Sequence, residues 1–331
     1  TFHYENYHPL TNLSNAIEYH FWGLNPKPYH TINLLLHLLN TVLVFLLARK
    51  LGAGALAAGL TSYLFAIHPM HVESVAWISE RKDVLYASFF LGSLISYVDH
   101  VKKGVFPLRA LLLFAASLLS KSAAVCLPVV LLILDWYLDR PFTRKSILEK
   151  APFFLLAIAF GIIALLSQSS TGATSMIPEY PIHYKIFFAG YGVLFYVFKL
   201  LLPVQLSALH VYPGVASEGS LPLSYYAAPL LLAGAGYLVY RMKNNRKEVI
   251  FGILFFFATI ALVLQVIPAG RAIVAERYTY IPYIGLFFAG DVLLEKLKEA
   301  GDRFSQGIFT PEAVLVVSYS IALPATAYQR N

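Results

Sequence analysis

Residues 29–50 read YHTINLLLHLLNTVLVFLLARK, a long apolar stretch that ends in the basic pair Arg49-Lys50. A helix in lipid needs roughly 17–25 apolar residues, because its backbone must satisfy its own hydrogen bonds across the hydrocarbon. Basic residues collect at the cytoplasmic ends of such segments. The stretch therefore predicts a transmembrane helix whose carboxyl end faces the cytosol.

Similar apolar runs recur along the whole chain. Of its 331 residues, 58% are hydrophobic and only 13% are charged, whereas soluble domains carry about 25% charged residues. We predict one all-α domain over residues 1–331, a polytopic membrane helix bundle with about ten spans. The predicted spans are 29–49, 53–67, 84–100, 107–120, 122–138, 152–168, 225–240, 248–267, 278–296 and 311–327.

Basic clusters set the predicted orientation of these spans. Clusters at 49–50, 102–109, 140–150, 241–247 and 296–303 are expected on the cytoplasmic side. The predicted exterior segments are then 1–28, 68–83, 168–224 and 268–277. Counting the apolar run 185–202 as a span would place 241–247 outside. We therefore predict that this run is re-entrant or lies along the outer surface.

The charge distribution argues against one class of partner, and the cysteine content excludes one kind of covalent cross-link. The net charge of +7 arises from basic residues that flank apolar segments. This distribution suits anionic lipid headgroups and argues against a nucleic-acid partner. The single cysteine, Cys126, excludes an internal disulfide.

The predicted exterior segment around residues 65–83 reads FAIHPMHVESVAWISERKD. It concentrates imidazoles, carboxylates and cations between two spans: His68, His71, Glu73, Glu80, Arg81, Lys82 and Asp83. A structural alternative is a solvated loop whose charges pair with one another. The His-x-x-His-x-Glu spacing also permits a divalent metal, but it matches no strong zinc signature, and we assign no metal ligand.

A second polar cluster occupies residues 271–282, where a span re-enters the membrane. It contains Arg271, Arg277 and Tyr278. Arginine presents a planar fork of donors that suits phosphate oxygens. Alternatively, Arg277 pairs with a carboxylate such as Glu276 and only fixes the bundle.

Polar residues inside the apolar regions have simpler interpretations. His30, Asn33, His37 and Asn40 recur at helical spacing, which is typical of hydrogen bonds between membrane helices. Lys121 is isolated between two apolar runs, and we expect it to snorkel to the surface or to contact an anionic ligand.

Four motifs together resemble one family. They are Tyr-His-Pro-Leu-Thr at 7–11, Gly-Leu-Asn-Pro-x-x-Tyr-His at 23–30, Phe-Ala-x-His-Pro-x-His-x-Glu at 65–73 and Ala-x-Arg-Tyr-x-Tyr-x-Pro at 275–282. Over residues 5–295 the chain resembles the transmembrane and tetratricopeptide-repeat-containing protein O-mannosyltransferases and their bacterial relatives. These are GT-C membrane glycosyltransferases, and the motif wording is closer to the bacterial members.

The resemblance implies a GT-C bundle of about eleven spans with catalysis on the extracytoplasmic side. It also implies a catalytic base in the first external loop, which we expect upstream of Thr1 rather than at Glu5. Family members usually carry tetratricopeptide repeats after the last span, and no such repeat is recognised in this sequence.

The resulting hypothesis is a membrane glycosyltransferase. It moves a sugar, a hexose such as mannose, from a polyprenyl-phosphate carrier to a hydroxyl of an exported protein or glycan, Ser or Thr in a protein. The expected setting is a bacterial inner membrane with the site facing the periplasm or exterior. Alternatives are a lipid-linked glycan transporter and a non-catalytic scaffold subunit of an envelope complex.

The residues assigned to this reaction come from both clusters. The predicted catalytic residues are His68, His71, Glu73 and Asp83. The predicted phosphate-binding residues are Arg81, Lys82, Arg271, Arg277 and Tyr278. No metal ligand is assigned, although a divalent metal stays an open alternative.

Overall fold

The computed structural model describes residues 7–104, 107–169, 182–207, 210–212, 221–242, 246–264 and 272–301, and it is almost entirely helical there. The helices are α1 Pro9–Trp22, α2 Pro26–Lys50, α3 Ala55–Ile67, α4 Val72–Ala76, α5 Arg81–Lys103, α6 Leu108–Ser120, α7 Leu127–Tyr137, α8 Arg144–Leu148, α9 Ala151–Ser169, α10 Ile182–Leu201, α11 Leu223–Arg241, α12 Arg246–Ile260 and α13 Pro282–Gly301. Two short strands, β1 His210–Val211 and β2 Ala272–Val274, pair antiparallel.

The all-α membrane helix bundle predicted from the sequence is confirmed. Five described helical segments are long and apolar enough to cross a membrane, judged by length and composition. They are Pro26–Lys50, Ile78–Lys103, Arg144–Ser167, Tyr184–Leu201 and Leu223–Arg241. Three shorter apolar helices are Ala55–Ile67, Leu108–Ser120 and Ser122–Tyr137. The predicted span 311–327 lies outside the described residues, and the total of about ten crossings stays a prediction.

The polar stripe of α2 connects helices as predicted. Asn33 donates to the carbonyl oxygen of Val75 at 3.1 Å, and Asn40 donates to that of Val84 at 2.8 Å. His37 Nε2 donates to the Ala66 carbonyl oxygen at 2.9 Å. These three stripe residues are buried. Hydrogen bonds of this kind replace water inside a bundle, so they tie α2 to α3, α4 and α5.

Tyr280, just before α13, completes this polar connection. Its hydroxyl lies 2.8 Å from His37 Nδ1 and accepts from Asn40 Nδ2 at 3.1 Å. Since His37 Nε2 donates to a carbonyl, the neutral ring accepts at Nδ1. The chain around residue 280 is thereby fixed against the middle of α2.

Glycines bring α12 and α13 into backbone contact. A Cβ atom built on Gly285 would lie 2.6 Å from the carbonyl oxygen of Gly252 and 2.9 Å from the Phe255 ring. No side chain fits at such a separation. This close packing holds the first half of α13, and with it the chain just before this helix.

Helix α10 packs along α11, where the ring of Tyr191 stacks on that of Tyr225 with 4.1 Å between the ring centres, and it also contacts segments between helices. Tyr196 hydrogen-bonds Ala275, and the Leu200 carbonyl accepts from His68. Gly192 faces Leu264 and Val274. These partners lie in the segments next to α3, α12 and α13. Because α10 is also long and apolar enough to cross a membrane, the re-entrant or surface-lying position predicted for 185–202 stays a prediction.

The basic clusters lie at the other end of the bundle. There Lys50 pairs with Asp99 at 2.5 Å and Lys247 pairs with Asp139 at 2.5 Å. Lys150 is buried against Asp135. The two ends thus differ in character, and the residues predicted to carry chemistry belong to the end without these clusters.

Candidate active site

Arg277 and Glu73 form the centre of the candidate site. Nη1 of Arg277 donates to Glu73 Oε1 at 2.5 Å, and the backbone N–H of Arg277 donates to Glu73 Oε2 at 3.0 Å. The two residues are 204 positions apart in the sequence. The structure therefore brings the two polar segments together at this pair.

Glu80 links Arg277 to a second cation. Its Oε1 lies 3.0 Å from Nζ of Lys82 and 3.6 Å from Nε of Arg277. Its other oxygen, Oε2, is buried without a hydrogen-bond partner. One carboxylate oxygen thus lies between two cations, the arrangement that a phosphate oxygen also favours.

Two aromatic rings enclose the guanidinium of Arg277. Its Cζ lies 5.7 Å from the centre of the Trp77 ring and 5.1 Å from that of Tyr278. Burial opposes the charge of Arg277, but Tyr278, Glu73 and Glu80 outweigh it and raise the pKa of the guanidinium above its usual value. Arg277 is therefore a permanent cation with its orientation fixed.

The segment that carries Arg277 is anchored on both sides. The neighbouring Glu276 is buried and accepts from the backbone N–H of Ser207 at 2.6 Å. Pairing of β1 with β2 adds a second connection to the same chain. Glu276 thus fixes the loop, and the carboxylate that pairs with Arg277 is Glu73, which agrees with the alternative of a nearby carboxylate partner drawn from the sequence.

Arg81 does not serve as a phosphate ligand in this structure. Its guanidinium is fully buried and donates twice to Glu18. The remaining N–H groups donate to Asn33, to Ser14 Oγ at 2.8 Å and to the Tyr29 carbonyl oxygen at 3.0 Å. All five donors are used. The prediction for Arg81 is therefore wrong, because the side chain closes a buried network between α1, α2 and α5.

Asp83 and Lys121 neutralise each other in the interior. Asp83 is fully buried, and its carboxylate accepts from Lys121 Nζ and from Ser74 Oγ, the latter at 3.1 Å. This pairing corrects two expectations. Lys121 neither snorkels nor awaits an anionic ligand, and Asp83 has no exposed oxygen with which to act on a substrate.

The two histidines of the His-Pro-x-His motif hold the loop. His68 donates from Nε2 to the Leu200 carbonyl oxygen at 3.2 Å, and its Nδ1 accepts from Met70 N–H at 3.3 Å. His71 donates from Nδ1 to the Phe65 carbonyl oxygen at 2.8 Å. Both rings are 1% exposed. In this structure both rings hold the backbone of the loop, and a catalytic part for His68 and His71 stays a prediction.

The described residues contain no group of three or more His, Cys, Asp or Glu side chains placed to hold a metal ion. The motif spacing that permitted a metal places Glu73 on Arg277 instead of beside the histidines. Both histidine rings bond backbone atoms.

An open cleft of about 710 Å³ lies beside the cluster. Its walls come from α1, the start of α2 and the segment 76–82: His8, Thr11, Asn12, Asn15, His30, Ala76, Trp77, Ile78, Ser79 and Lys82. Trp77 and Lys82 belong both to the cleft and to the surroundings of Arg277 and Glu80. The cleft is thus adjacent to the cation cluster, and Trp77 and Lys82 lie between the two.

Some predicted residues lie elsewhere, and some important ones were missed. Arg271 and Glu5 lie outside the described residues. The sequence interpretation overlooked Glu18, a second acid in residues 1–28, and helix α1 that carries it. It also assigned no role to Glu80 or Trp77. Glu18 is three to four residues from polar Ser14 and Asn15, and this spacing was the available signal for a polar helical face.

Comparison with known proteins follows the motifs. No protein-family model matches the chain. The protein O-mannosyl-transferase tmtc2 of Xenopus laevis is 44% identical over 100 residues, covering 29% of this chain and 12% of that protein. The human protein O-mannosyl-transferase TMTC2 is 38% identical over 97 residues, again 29% and 12%. The protein O-mannosyl-transferase F38B6.6 of Caenorhabditis elegans aligns with 99% of this chain at 23% identity.

The chain spans 47% of the nematode protein's length, and its matches to the two vertebrate proteins are shorter still. The motifs and these similarities agree with each other. The resemblance to the protein O-mannosyltransferases predicted from the sequence is thereby confirmed.

Proposed function

We propose that the chain is the membrane-embedded part of a glycosyltransferase that uses a polyprenyl-phosphate sugar. The sugar is a hexose such as mannose, and the acceptor is a Ser or Thr hydroxyl of an exported protein. The proposal rests on one observation: Arg277 and Lys82 contact the same oxygen of Glu80 beside an open cleft. The names of the relatives, all protein O-mannosyl-transferases, support the reaction class.

The two cations suit the phosphate of the donor. Nη2 of Arg277 has no hydrogen-bond partner among the described residues, while Nη1 is held by Glu73. A phosphate oxygen placed between Arg277 and Lys82 would take the position of Glu80 Oε1 or share it. Charge-assisted hydrogen bonds from arginine to phosphate are among the strongest available to a protein.

The reaction makes one bond and breaks one. The acceptor oxygen bonds to the anomeric carbon of the sugar, and the bond from that carbon to the phosphate oxygen breaks. The leaving prenyl phosphate gains negative charge, which Arg277 and Lys82 stabilise. A carboxylate base takes the acceptor proton, and the resemblance assigns this base to the first external loop.

The proposed site faces away from the cytosol. The basic clusters at 49–50, 140–150 and 241–247 lie at the opposite end of the bundle, and such clusters are typical of the cytoplasmic side. The donor's prenyl chain would then lie among the apolar helix faces, with its phosphate at the exterior or periplasmic rim. Asp83 and Arg81 support this site from the interior without contacting substrate.

The test is transfer by the purified full-length protein. It is incubated with polyprenyl-phosphate sugars and exported acceptor proteins, and the products are identified by mass spectrometry. Arg277→Ala should abolish transfer and leave the fold intact, as judged by thermal unfolding in detergent. Arg109→Ala, at an exposed position of the opposite end, is the matched control. Wild-type turnover by folded Arg277→Ala would refute the proposal.

A further inference from the structure

The cleft beside Trp77 has the features of a binding site for a polar, hydroxyl-rich group. Its volume of about 710 Å³ falls within the roughly 300–1,000 Å³ of small-molecule sites. Amides, hydroxyls and imidazoles line it, and Trp77 adds an aromatic ring that is 50% exposed. The exposed indole face suits a sugar ring, which combines an apolar face with polar edges.

One polar atom in the lining of this cleft lacks a partner. Oδ1 of Asn15 is buried and makes no hydrogen bond, whereas the ring of His8 has a hydrogen bond to the backbone of Tyr7. Buried polar groups are nearly always satisfied, so such an atom indicates a ligand or ordered water at this place. Burial, Lys121 and Lys82 lower the pKa of His8 to about 4, and the imidazole is therefore neutral at neutral pH. A neutral imidazole and an amide suit hydroxyl groups better than they suit a charged group.

The position of Trp77 relates the cleft to the phosphate site. The centre of the indole ring lies 5.7 Å from Cζ of Arg277, and Trp77 also lines the cleft. Lys82 joins the two regions in the same way, since it borders the cleft and pairs with Glu80. A group bound in the cleft is thus directly adjacent to a phosphate held by Arg277 and Lys82.

We propose that this cleft binds the hexose of the donor, with the sugar ring on Trp77 and its hydroxyls on Asn15 and His8. This inference rests on the function proposed above and adds a binding site for the sugar to the phosphate site. In this arrangement the anomeric carbon lies between the cleft and the Arg277–Lys82 pair. His30 and Asn12 border the same space and contribute further hydrogen-bonding groups.

Binding measurements separate the sugar from the phosphate. The probes are a ten-carbon prenyl phosphate and the same compound carrying mannose, glucose or N-acetylglucosamine, and affinities for the full chain are measured by native mass spectrometry. We expect at least one sugar-bearing probe to bind about tenfold more tightly than the bare prenyl phosphate. Asn15→Ala and Trp77→Leu should remove this gain, whereas Trp22→Leu, outside the cleft lining, should keep it.

The outcomes distinguish the two proposals. If bare prenyl phosphate binds but no sugar strengthens binding, or if the gain survives in both Asn15→Ala and Trp77→Leu, the sugar site is refuted and the phosphate site stands. If neither type of probe binds, the proposed function fails and the sugar site fails with it. Asn15→Ala is the sharper variant, because this side chain makes no contact with Arg277.

Discussion

Glu73 holds Arg277 by two different groups, since one carboxylate oxygen accepts from the guanidinium and the other from the backbone N–H. The side chain and the main chain of Arg277 are therefore positioned by one residue from a distant segment. Glu80, in contrast, approaches the guanidinium only to 3.6 Å, between its Oε1 and Nε of Arg277. The same carboxylate oxygen also lies near Nζ of Lys82. The two carboxylates beside the same cation thus have different tasks.

These different tasks predict opposite effects on phosphate binding. Glu80→Gln removes a negative charge from the place that the phosphate takes, so prenyl phosphate should bind about threefold to tenfold more tightly. Glu73→Gln loosens the guanidinium, and binding should weaken about tenfold. Titration of the purified protein with a ten-carbon prenyl phosphate measures both. Changes of the same sign in the two variants would contradict these assignments.

The geometry of the guanidinium itself is testable with a conservative change. Arg277→Lys keeps the positive charge but loses the planar fork and the contact with the two aromatic rings. We expect folded protein whose rate of sugar transfer falls by about 10²-fold or more. Steady-state transfer with a fixed acceptor provides the measurement, and Arg109→Lys is the control. Wild-type rates in Arg277→Lys would show that charge alone is sufficient.

Arg81 should matter for stability instead. Removing one partner of a buried ion pair leaves an uncompensated charge, which costs about 3–5 kcal/mol. Arg81→Gln should therefore lower the free energy of unfolding strongly because Glu18 stays buried and unpaired. The double variant Glu18→Gln/Arg81→Gln should recover part of this loss. Thermal unfolding in detergent measures both, and an unchanged midpoint in Arg81→Gln would contradict the network.

The sequence predicted the helices well, but it could not show that Arg81 is buried in a structural network whereas Arg277 belongs to the candidate site. Long apolar runs identify membrane helices because lipid leaves the backbone no other partner. Arg81 and Arg277 each follow a glutamate and a similar apolar stretch, so local pattern treats them alike. What separates them is Glu18, 63 positions before Arg81, and the fold of α1 that brings it there. Pairing over such a distance is a property of packing rather than of sequence pattern.

Burial of His68 predicts that the stability of the fold depends on pH. Burial lowers the pKa of His68 to about 4 from 6.5. Between these values the unfolded chain binds a proton that the folded chain does not, so stability decreases as the pH falls from about 6.5 toward 4. The slope for one such group is roughly 1 kcal/mol per pH unit.

Unfolding in detergent between pH 4 and 8 tests this expectation. The curve should be nearly flat above pH 7 as far as His68 is concerned, and His68→Gln should show a shallower fall below pH 6.5 than the wild type. Equal slopes for the two proteins would assign the acid sensitivity to other groups. His20→Gln, at an exposed site on α1, is the control.

The position of α10 relative to the membrane can be tested by labelling introduced cysteines, because the chain contains only one native cysteine, Cys126. In a Cys126→Ser background, Lys185→Cys and Leu201→Cys mark the two ends of the helix. If α10 lies across the outer end of the bundle, a membrane-impermeant maleimide should label both from the same side. Lys247→Cys should react only from the other side. Labelling of positions 185 and 201 from opposite sides would show that α10 crosses the membrane.

The contact between Gly252 and Gly285 has a consequence for how this chain tolerates substitution. Any side chain at either position must drive the two helices apart, and the start of α13 is continuous with the loop that bears Arg277. A displacement of about 1 Å in a catalytic group can cost 10²-fold in rate. Alanine at Gly252 or Gly285, remote from every substrate atom, would thus have the effect of an active-site mutation. A search for inactivating variants should therefore include positions where two helices touch and a side chain as small as a methyl group does not fit.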